Sequence, residues 1–515
     1  LAEDAFDLLI VGGGINGAGI ARDAAGRGLR VMLVEQAGLA HFTSSASTKL
    51  VHGGLRYLEY FHFRLVREAL LERERLLTIA PHLVRRMRFV LPFEPKQRPA
   101  WMVRLGLFFY DHLVRNSTLQ RSTNVRFATS VLGKPLREGL RRGFAYSDCT
   151  VDDSRLVVLN AKDAALRGAV VRVGHRLIGA TREGGRWTVN LEDQASKQVY
   201  AVGARAIANA AGPWVAEVLT DRLAGRSQHA VRLIKGSHIV VRRLYEGDHA
   251  YVLQHADRRI VFVIPYQNDF TLIGTTDIAW QGEPGAMSIA AAETDYLCET
   301  VNTYFKRQIA AADVVWSYSG VRPLFDDDAS DASAVTRDYV LDVDAPPGEA
   351  AVLSVFGGKI TTYRRLAEHA LDKLAPHLGP MSAPWTGFTP LPGGDIPNGD
   401  MESFVGNVQD RWPFLGTAQA WRLARAYGTR ISQLLGDIES CGDMGEDFGG
   451  GLTRVEVDFL MDEEWATSAE DLYWRHSKAG LYASPADERR LAAYLKSKRV
   501  AADRAAADRP AARAG

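Results

Sequence analysis

The sequence has little of what would staple a small secreted fold or thread a chain through a bilayer. Its 515 residues hold three cysteines, Cys149, Cys298 and Cys441, far apart and without a C-x-x-C pair. That spacing argues against a disulfide framework and a zinc site, and it fits a reducing cytosol. No stretch reaches the roughly 18 consecutive apolar residues of a spanning helix. The first apolar run, Phe6 to Val11, passes straight into glycines, which is not the pattern of a secretory leader. The chain starts at Leu1, and a natural start upstream of it is expected. Net charge is +1, so the whole molecule offers no electrostatic case for a nucleic-acid partner.

What is present is ordinary for a globular protein: 46% hydrophobic and 24% charged residues in a length that suggests about three domains. One region departs from the average. Between Arg56 and Arg121 there are thirteen Arg or Lys against six Asp or Glu, a local excess of +7. Within it, residues 101–115 (WMVRLGLFFYDHLVR) interleave Trp101, Met102, Leu105, Leu107, Phe108, Phe109 and Tyr110 with Arg104 and Arg115. This is the composition of a helix lying in a membrane interface, with cations for anionic lipids. The alternative is a core helix of a substrate domain.

The N-terminus reads as a βαβ unit: a strand over 6–11, a helix over 14–27 ending at Gly28, and a strand over 31–34 closed by Glu35. Gly12-x-Gly14-x-x-Gly17 sits at the strand–helix turn. There the first glycine permits the turn, the second admits a pyrophosphate and the third lets helix and strand pack closely. Glu35 is placed to bond ribose hydroxyls and repels a 2′-phosphate, so NADP is disfavoured; the motif alone does not separate FAD from NAD. Further along, helices are predicted over 62–79 and 155–170. Strands are predicted over 187–191, 231–241, 251–253, 259–266 and 270–274, the last two joined by a hairpin turn at Asn268-Asp269. A strand over 351–356 runs into Gly357-Gly358 and a helix from about 361. The Pro/Gly-rich stretch 384–399 reads as a linker. Helical patterns follow over 416–436, 454–464 and 487–499, with fraying expected over 500–515.

Beyond Gly17 several long runs resemble the FAD-dependent glycerol-3-phosphate dehydrogenases. They are 11–28 (VGGGINGAGIARDAAGRG), 43–60 (TSSASTKLVHGGLRYLEY), 209–215 (NAAGPWV), 233–241 (LIKGSHIVV), 273–277 (IGTTD), 317–324 (SYSGVRPL), 336–339 (TRDY) and 353–371 (LSVFGGKITTYRRLAEHAL). Weaker matches continue through 446–449 (EDFG) and 467–481. Ala211 departs from the family's usual threonine. The resemblance implies an α/β fold. Its parts would be a discontinuous FAD-binding Rossmann-like domain of the glutathione-reductase/amino-acid-oxidase type (1–75, 150–215, 340–385), an α+β substrate domain (76–149, 216–339) and an all-α C-terminal domain (395–515). It also implies non-covalent FAD, a homodimer, peripheral attachment to the cytoplasmic face of the bacterial inner membrane, and electron transfer from glycerol 3-phosphate to ubiquinone. His41 is read as an ordinary loop residue, with no covalent flavin link and no metal.

Glycerol 3-phosphate is a dianionic secondary alcohol, so its site needs fixed cations, preferably arginine forks. By similarity, Arg56, Arg322, Arg337 and Lys359 line the pocket with Tyr57, His238 and Thr361. Arg56 and Arg337 are assigned mainly to phosphate, and Arg322 and Lys359 to the reacting end. His238 is the first candidate for the general base, its titration range suiting a hydroxyl proton; the competing reading is a structural histidine, with Arg322 polarising the forming ketone. Gly12, Gly14, Ile15, Asn16, Gly17, Glu35, Ser45, Ser47, Thr48, Lys49, His52, Gly212, Gly358 and Thr361 are the expected cofactor contacts. Rival readings are an oxygen-using oxidase of the same family, a flavin amine oxidase and a non-enzymatic sensor.

Overall fold

The computed structural model describes residues 5–94, 99–115, 117–225, 231–257, 259–285, 287–325 and 338–507. The chain divides into two units, one ending at Asp400 and one beginning at Met401.

The first unit is built on two sheets. In one, Ala5–Val11 runs parallel to Val31–Glu35 on one side and to Val199–Asn209 on the other. Val170–Val173 and Ala351–Phe356 extend the parallel run outward, and Val340–Asp344 adds an antiparallel edge. Leu8, Leu9 and Ile10 are fully buried, as expected of parallel strands covered on both faces. Helices α1 (Ile15–Gly26) and α4 (Asp153–Leu166) and the helix Tyr363–Leu378 belong to this layer. Small residues on α1 permit the close approach: a Cβ at Gly19 would lie 2.7 Å from the Tyr363 ring.

The second sheet has ten strands, mostly antiparallel. Its spine is the pairing of Val231–Arg242 with Val314–Phe325, which sets Ile234 opposite Arg322 and His238 opposite Tyr318. On the other flank His238 faces Gly274 of the strand Phe270–Gly274. The hairpin between Ile260–Tyr266 and Phe270–Gly274 forms as expected. Its left-handed residues are Gln267 and Asn268 (φ 46° and 59°), so the turn begins one residue earlier than the sequence suggested. Helix α2 (Phe63–Ile79) forms, as does α3 (Ala100–His112).

The stretch read as a linker is instead a fastened strap. Trp385 donates its indole N–H to Asp23 O (3.1 Å), and its ring is flanked by Arg22 and Arg167, whose guanidinium carbons lie 4.9 and 3.8 Å from its centroid. Gly26 is bare because a Cβ there would sit 2.0 Å from that ring. Proline and glycine here mark turns that pack, and composition alone does not separate these from a free tether.

The second unit is helical: Met401–Arg411, Thr417–Tyr427, Ile431–Leu435, Arg454–Glu464 and Pro485–Ala507. The first of these was not foreseen, and the last continues eight residues beyond the predicted 499 into the stretch expected to fray. Leu423, Tyr427, Phe448, Val457, Leu460 and Leu491 form its fully buried core. Arg422–Glu456 and Arg430–Glu464 ion pairs (2.6 and 2.5 Å) neutralise two buried carboxylates.

Candidate active site

The glycine turn opens a cavity of about 260 Å³ lined by Gly12, Gly14, Ile15, Asn16, Glu35, Gly212 and Gly358 among others. Its glycines are bare for different reasons. Gly12 has φ +110°, and a Cβ there would meet Ala210 O at 2.4 Å; a Cβ at Gly17 would meet Gly12 O at 1.9 Å. Both are demanded by the protein's own packing. At Gly14 the nearest atom would be Ser44 Oγ at 3.1 Å, so its missing side chain leaves room in the cavity.

Asn16 donates to Gly357 O (3.1 Å), tying α1 to the Gly357-Gly358 turn. Its Oδ1 is buried with no partner among the described residues, an acceptor open to a ligand hydroxyl. Glu35 accepts from the amides of Gly13 (2.6 Å) and Ala37 (2.9 Å), so the expected ribose acid also holds its own loop. Burial pushes its pKa up against those two bonds. These features fit the ADP half of a dinucleotide.

A second chamber of about 560 Å³ lies against α3 and the turn Leu55–Tyr60. His52, Arg56, Tyr57, Glu59, Gln254, Thr275, Asp277 and Arg322 form its polar part. Arg322 is ion-paired to Asp277 and donates to Thr275 Oγ1 (3.0 Å) and Thr276 O (3.1 Å). The Nε of Arg56 is buried without a partner among the described residues. The Lys359 ammonium lies 3.9 Å from the centroid of the Tyr57 ring, which brings it to the edge of this chamber. Thr361, buried, accepts from the His52 amide (3.3 Å). Arg337 lies outside the described residues.

His238 lines neither cavity. Its ring stacks on Tyr318 (centroids 4.8 Å, 14°), and its Nε2 is 2.9 Å from Thr48 Oγ1. A Cβ at Gly274 would come within 2.1 Å of its Cδ2, so that glycine is what lets the ring lie there. Burial, with the charges of Arg322 and Lys49 adding to it, holds its pKa well below the usual histidine range. The ring is therefore neutral at pH 7, and its link to the loop that carries Ser45, Ser47 and Lys49 runs through Thr48.

Ser45, Ser47 and Lys49 also line neither cavity. Lys49 pairs with Asp153 (2.9 Å) and donates to Ser45 O (2.9 Å); Ser47 Oγ donates to Asp153 (2.7 Å); Ser45 Oγ donates to Phe42 O (3.2 Å). Their side chains hold the loop in shape, so what they can offer a cofactor is backbone.

The sequence reading missed a buried cluster beside the chamber. Tyr110, on the inner face of α3, donates to Asp148 (2.7 Å) and accepts from the Gly53 amide (2.8 Å). Arg73 neutralises Asp148 at 2.8 Å. Gly53 stands between His52 and Arg56, so α3 is clasped to the loop that carries the chamber's polar residues. Nothing local in the sequence marks Tyr110, since its partners lie 38 and 57 positions away. Asp277 was legible as part of the quoted run 273–277, but no role was attached to it. On the outer face of α3 large apolar side chains stand partly open: Trp101 is 69% exposed and Phe108 49%, and Phe61, after the turn Leu55–Tyr60, is 79% exposed. Among the described residues no helix is long and apolar enough to cross a membrane.

Comparison with known proteins gives a consistent picture. The sequence profile of FAD dependent oxidoreductases matches residues 7–364. A glycerol-3-phosphate dehydrogenase of Pseudomonas aeruginosa is 53% identical over 96% of this chain and 96% of its own length. A D-erythritol 1-phosphate dehydrogenase of Brucella abortus is 47% identical over 93% of this chain and 96% of its own. The crystal structure of glycerol-3-phosphate dehydrogenase from Bacillus halodurans complexed with FAD superposes with a TM-score of 0.73 at 26% identity, covering 93% of this chain and 87% of that one.

Proposed function

The chain belongs to the FAD-dependent oxidoreductases and, within them, to the glycerol-3-phosphate dehydrogenases, and on that premise we propose that it oxidises sn-glycerol 3-phosphate to dihydroxyacetone phosphate and delivers the electrons to ubiquinone. The observation that carries the reading is the gathering of Arg56, Arg322 and the Lys359–Tyr57 pair around one chamber, together with a separate glycine-lined dinucleotide cavity.

Bound FAD supplies the hydride acceptor and the two-electron store. Gly12, Gly14, Asn16, Glu35 and Gly358 are the residues that would hold it. Arg56, assisted in this proposal by Arg337, binds the phosphate. Arg322, oriented by Asp277 and Thr275, faces the alcohol and stabilises the negative charge that develops on its oxygen. His238, whose Nε2 lies 2.9 Å from Thr48 Oγ1, is the proposed acceptor of the hydroxyl proton. Burial first, and then the charges of Arg322 and Lys49, hold the imidazole's pKa down, so its role as base rests on its being the neutral proton acceptor.

The exposed aromatic face of α3 and the basic excess around it support peripheral contact with an anionic membrane, where a quinone is available. The proposed setting is the cytoplasmic face of the bacterial inner membrane, with the protein as a homodimer; sedimentation at working concentration tests the latter. The decisive experiment is anaerobic titration of the purified flavoprotein with glycerol 3-phosphate and, separately, D-erythritol 1-phosphate, followed by flavin absorbance. Bleaching at one equivalent by the first, and reoxidation by a water-soluble ubiquinone faster than by oxygen, is the expected result. Preferential bleaching by the four-carbon substrate would move the substrate assignment to that relative, and no bleaching by either would end the proposal.

A further inference from the structure

We propose that Glu293, which lines neither cavity, is a positioning residue for the oxidation step: through Thr276 and Ser237 it fixes the cradle that holds the Arg322 guanidinium against the alcohol. The inference rests on the reading of Arg322 given above and names what enforces it.

The cradle is made by consecutive residues. Asp277 pairs with the guanidinium, Thr275 Oγ1 accepts from its Nη2 at 3.0 Å, and Thr276 O accepts from the same nitrogen at 3.1 Å. These residues lie in the gap between the strands Phe270–Gly274 and Ile278–Ala279, outside either ladder. Arg259 reaches Asp277 O only at 3.3 Å. The firm attachment is at Thr276, whose hydroxyl accepts from the Ser237 amide (2.9 Å) and donates to Glu293 Oε1 (2.8 Å).

Glu293 belongs to the helix Ala291–Tyr304, on the far face of the sheet. Along Val231–Arg242, Gly236 and His238 share the face of Arg322, and a Cβ at Gly236 would strike the guanidinium. Lys235 and Ser237 point the other way, to Glu293. There the buried carboxylate accepts from Ser237 Oγ (2.7 Å) and Thr276 Oγ1 on one oxygen, and from Lys235 Nζ (2.6 Å) and the Ala290 amide (2.9 Å) on the other. Ser237, its proton committed to Glu293, accepts from Ser319 (2.7 Å) on the strand that carries Arg322. Burial would raise the Glu293 pKa, yet Lys235, then the Ala290 amide and the two hydroxyls, outweigh it and hold it below the usual carboxylate range. At pH 7 the knot is therefore centred on a charge.

A buried ion pair is often no more stabilising than well-packed apolar side chains of similar volume, so stability alone does not call for Lys235 and Glu293 here. Direction does. Thr276 is held at both ends by charge-assisted bonds, its hydroxyl by Glu293 behind the sheet and its carbonyl by Arg322 on the site face. A shift at the hydroxyl is passed to the carbonyl that orients Arg322. Because Arg322 is assigned to the charge that develops on the alcohol oxygen, a loosened cradle slows hydride transfer more than it weakens substrate binding.

The test compares wild type with Glu293→Gln, Thr276→Val and Thr276→Ser as flavin-loaded holoenzymes. Each is mixed anaerobically with glycerol 3-phosphate in a stopped-flow cell, and the bleaching rate per bound flavin is followed. Reoxidation by a water-soluble ubiquinone is then timed separately. Glu293→Gln and Thr276→Val should slow bleaching at saturation by about tenfold or more, with the half-saturating concentration within about threefold and reoxidation within about twofold. Thr276→Ser, which keeps the hydroxyl, should stay within about threefold of wild type. In an Arg322→Lys background Thr276→Val should cost less than about a further twofold, because the residue it acts through is already altered. Normal bleaching beside an earlier thermal melt overturns the inference and leaves the knot merely structural. Equal slowing of both half-reactions, or a full loss in the Arg322→Lys background, overturns it as well. The Thr276 variants decide the matter should Glu293→Gln not hold its flavin. A wild type that glycerol 3-phosphate does not bleach brings down the substrate reading and this inference together.

Discussion

Replacing Tyr110 by Phe removes one oxygen from the protein and tests how α3 is coupled to the active-site loop. That oxygen accepts from the Gly53 amide at 2.8 Å and donates to Asp148 at 2.7 Å, and all three residues are buried. Burial, then the neighbouring Asp148 charge, pushes the phenol's pKa well up, so it stays a hydroxyl at every working pH. In the variant the Gly53 amide keeps only a long contact to Asp148 (3.4 Å), while Asp148 retains Arg73. Leaving a buried donor poorly satisfied costs about 1–3 kcal/mol.

Gly53 sits directly between His52 and the Gly54–Arg56 segment, so a large part of that cost falls on the conformation that presents Arg56. If about 1.4 kcal/mol does, kcat/KM for glycerol 3-phosphate drops roughly tenfold. The loss should appear mainly as a raised KM, because Arg56 is assigned to binding and not to the chemical step. Dye-linked steady-state kinetics beside a thermal melt decide the matter. A variant that melts earlier but keeps its KM and kcat would show that the cluster is only structural and that the argument about the loop is wrong.

Three further outcomes follow from the same reasoning. His238→Asn should lower kcat by about 100-fold or more with KM within a few-fold, read by dye-linked turnover; near-normal turnover removes the base assignment. Phe108→Glu, on the outer face of α3, should weaken binding to anionic liposomes about tenfold or more while leaving turnover with a soluble dye in place, and unchanged sedimentation with liposomes would count against membrane contact. In the helical unit, burial would raise the pKa of Asp471, but Arg475 and the other partners outweigh it and bring the value down to about 2 from 3.8. A depressed carboxylate contributes stability that is complete above its unfolded pKa and lost as pH falls toward 2. The surroundings of the ionised carboxylate, taken together, thus contribute about 2 kcal/mol at neutral pH, and Asp471→Asn should abolish that part of the acid dependence between about pH 4 and pH 2 in a chemical-denaturation series.

The glycine turn, Glu35, Arg56, Tyr57 and Arg322 were legible in the sequence because each sits in a short run whose residues act on one another locally or carry a family likeness. Only some strands of the two sheets were legible: Val199–Asn209, Val314–Phe325, Val84–Pro92 and Arg142–Val151 were not read as strands, and pairing was not legible at all, since Val199–Asn209 and Ala351–Phe356 pair across more than a hundred residues. What stayed hidden depends on distant partners. Lys49 reads as a cofactor contact until Asp153, 104 positions away, takes its charge. Residues 384–399 read as a linker until Trp385 is seen wedged between Arg22 and Arg167. His238 carries the right chemistry, yet only coordinates reveal that Thr48 stands at its reachable nitrogen.

The order of strands in the parallel sheet bears on how the protein is made. Ala5–Val11 leaves the ribosome well before its neighbour Val199–Asn209 and that strand's neighbour Ala351–Phe356, which are followed by the Gly357-Gly358 turn and the Trp385 strap. The nucleotide pocket therefore cannot close until Gly358 has been synthesised. During that interval the apolar opening strand has one side without a partner, and its glycine turn lacks the Gly357-Gly358 segment that completes the pocket. Cofactor capture is thus a late event in biogenesis, and a translational pause after residue 360 would serve this chain better than one before it.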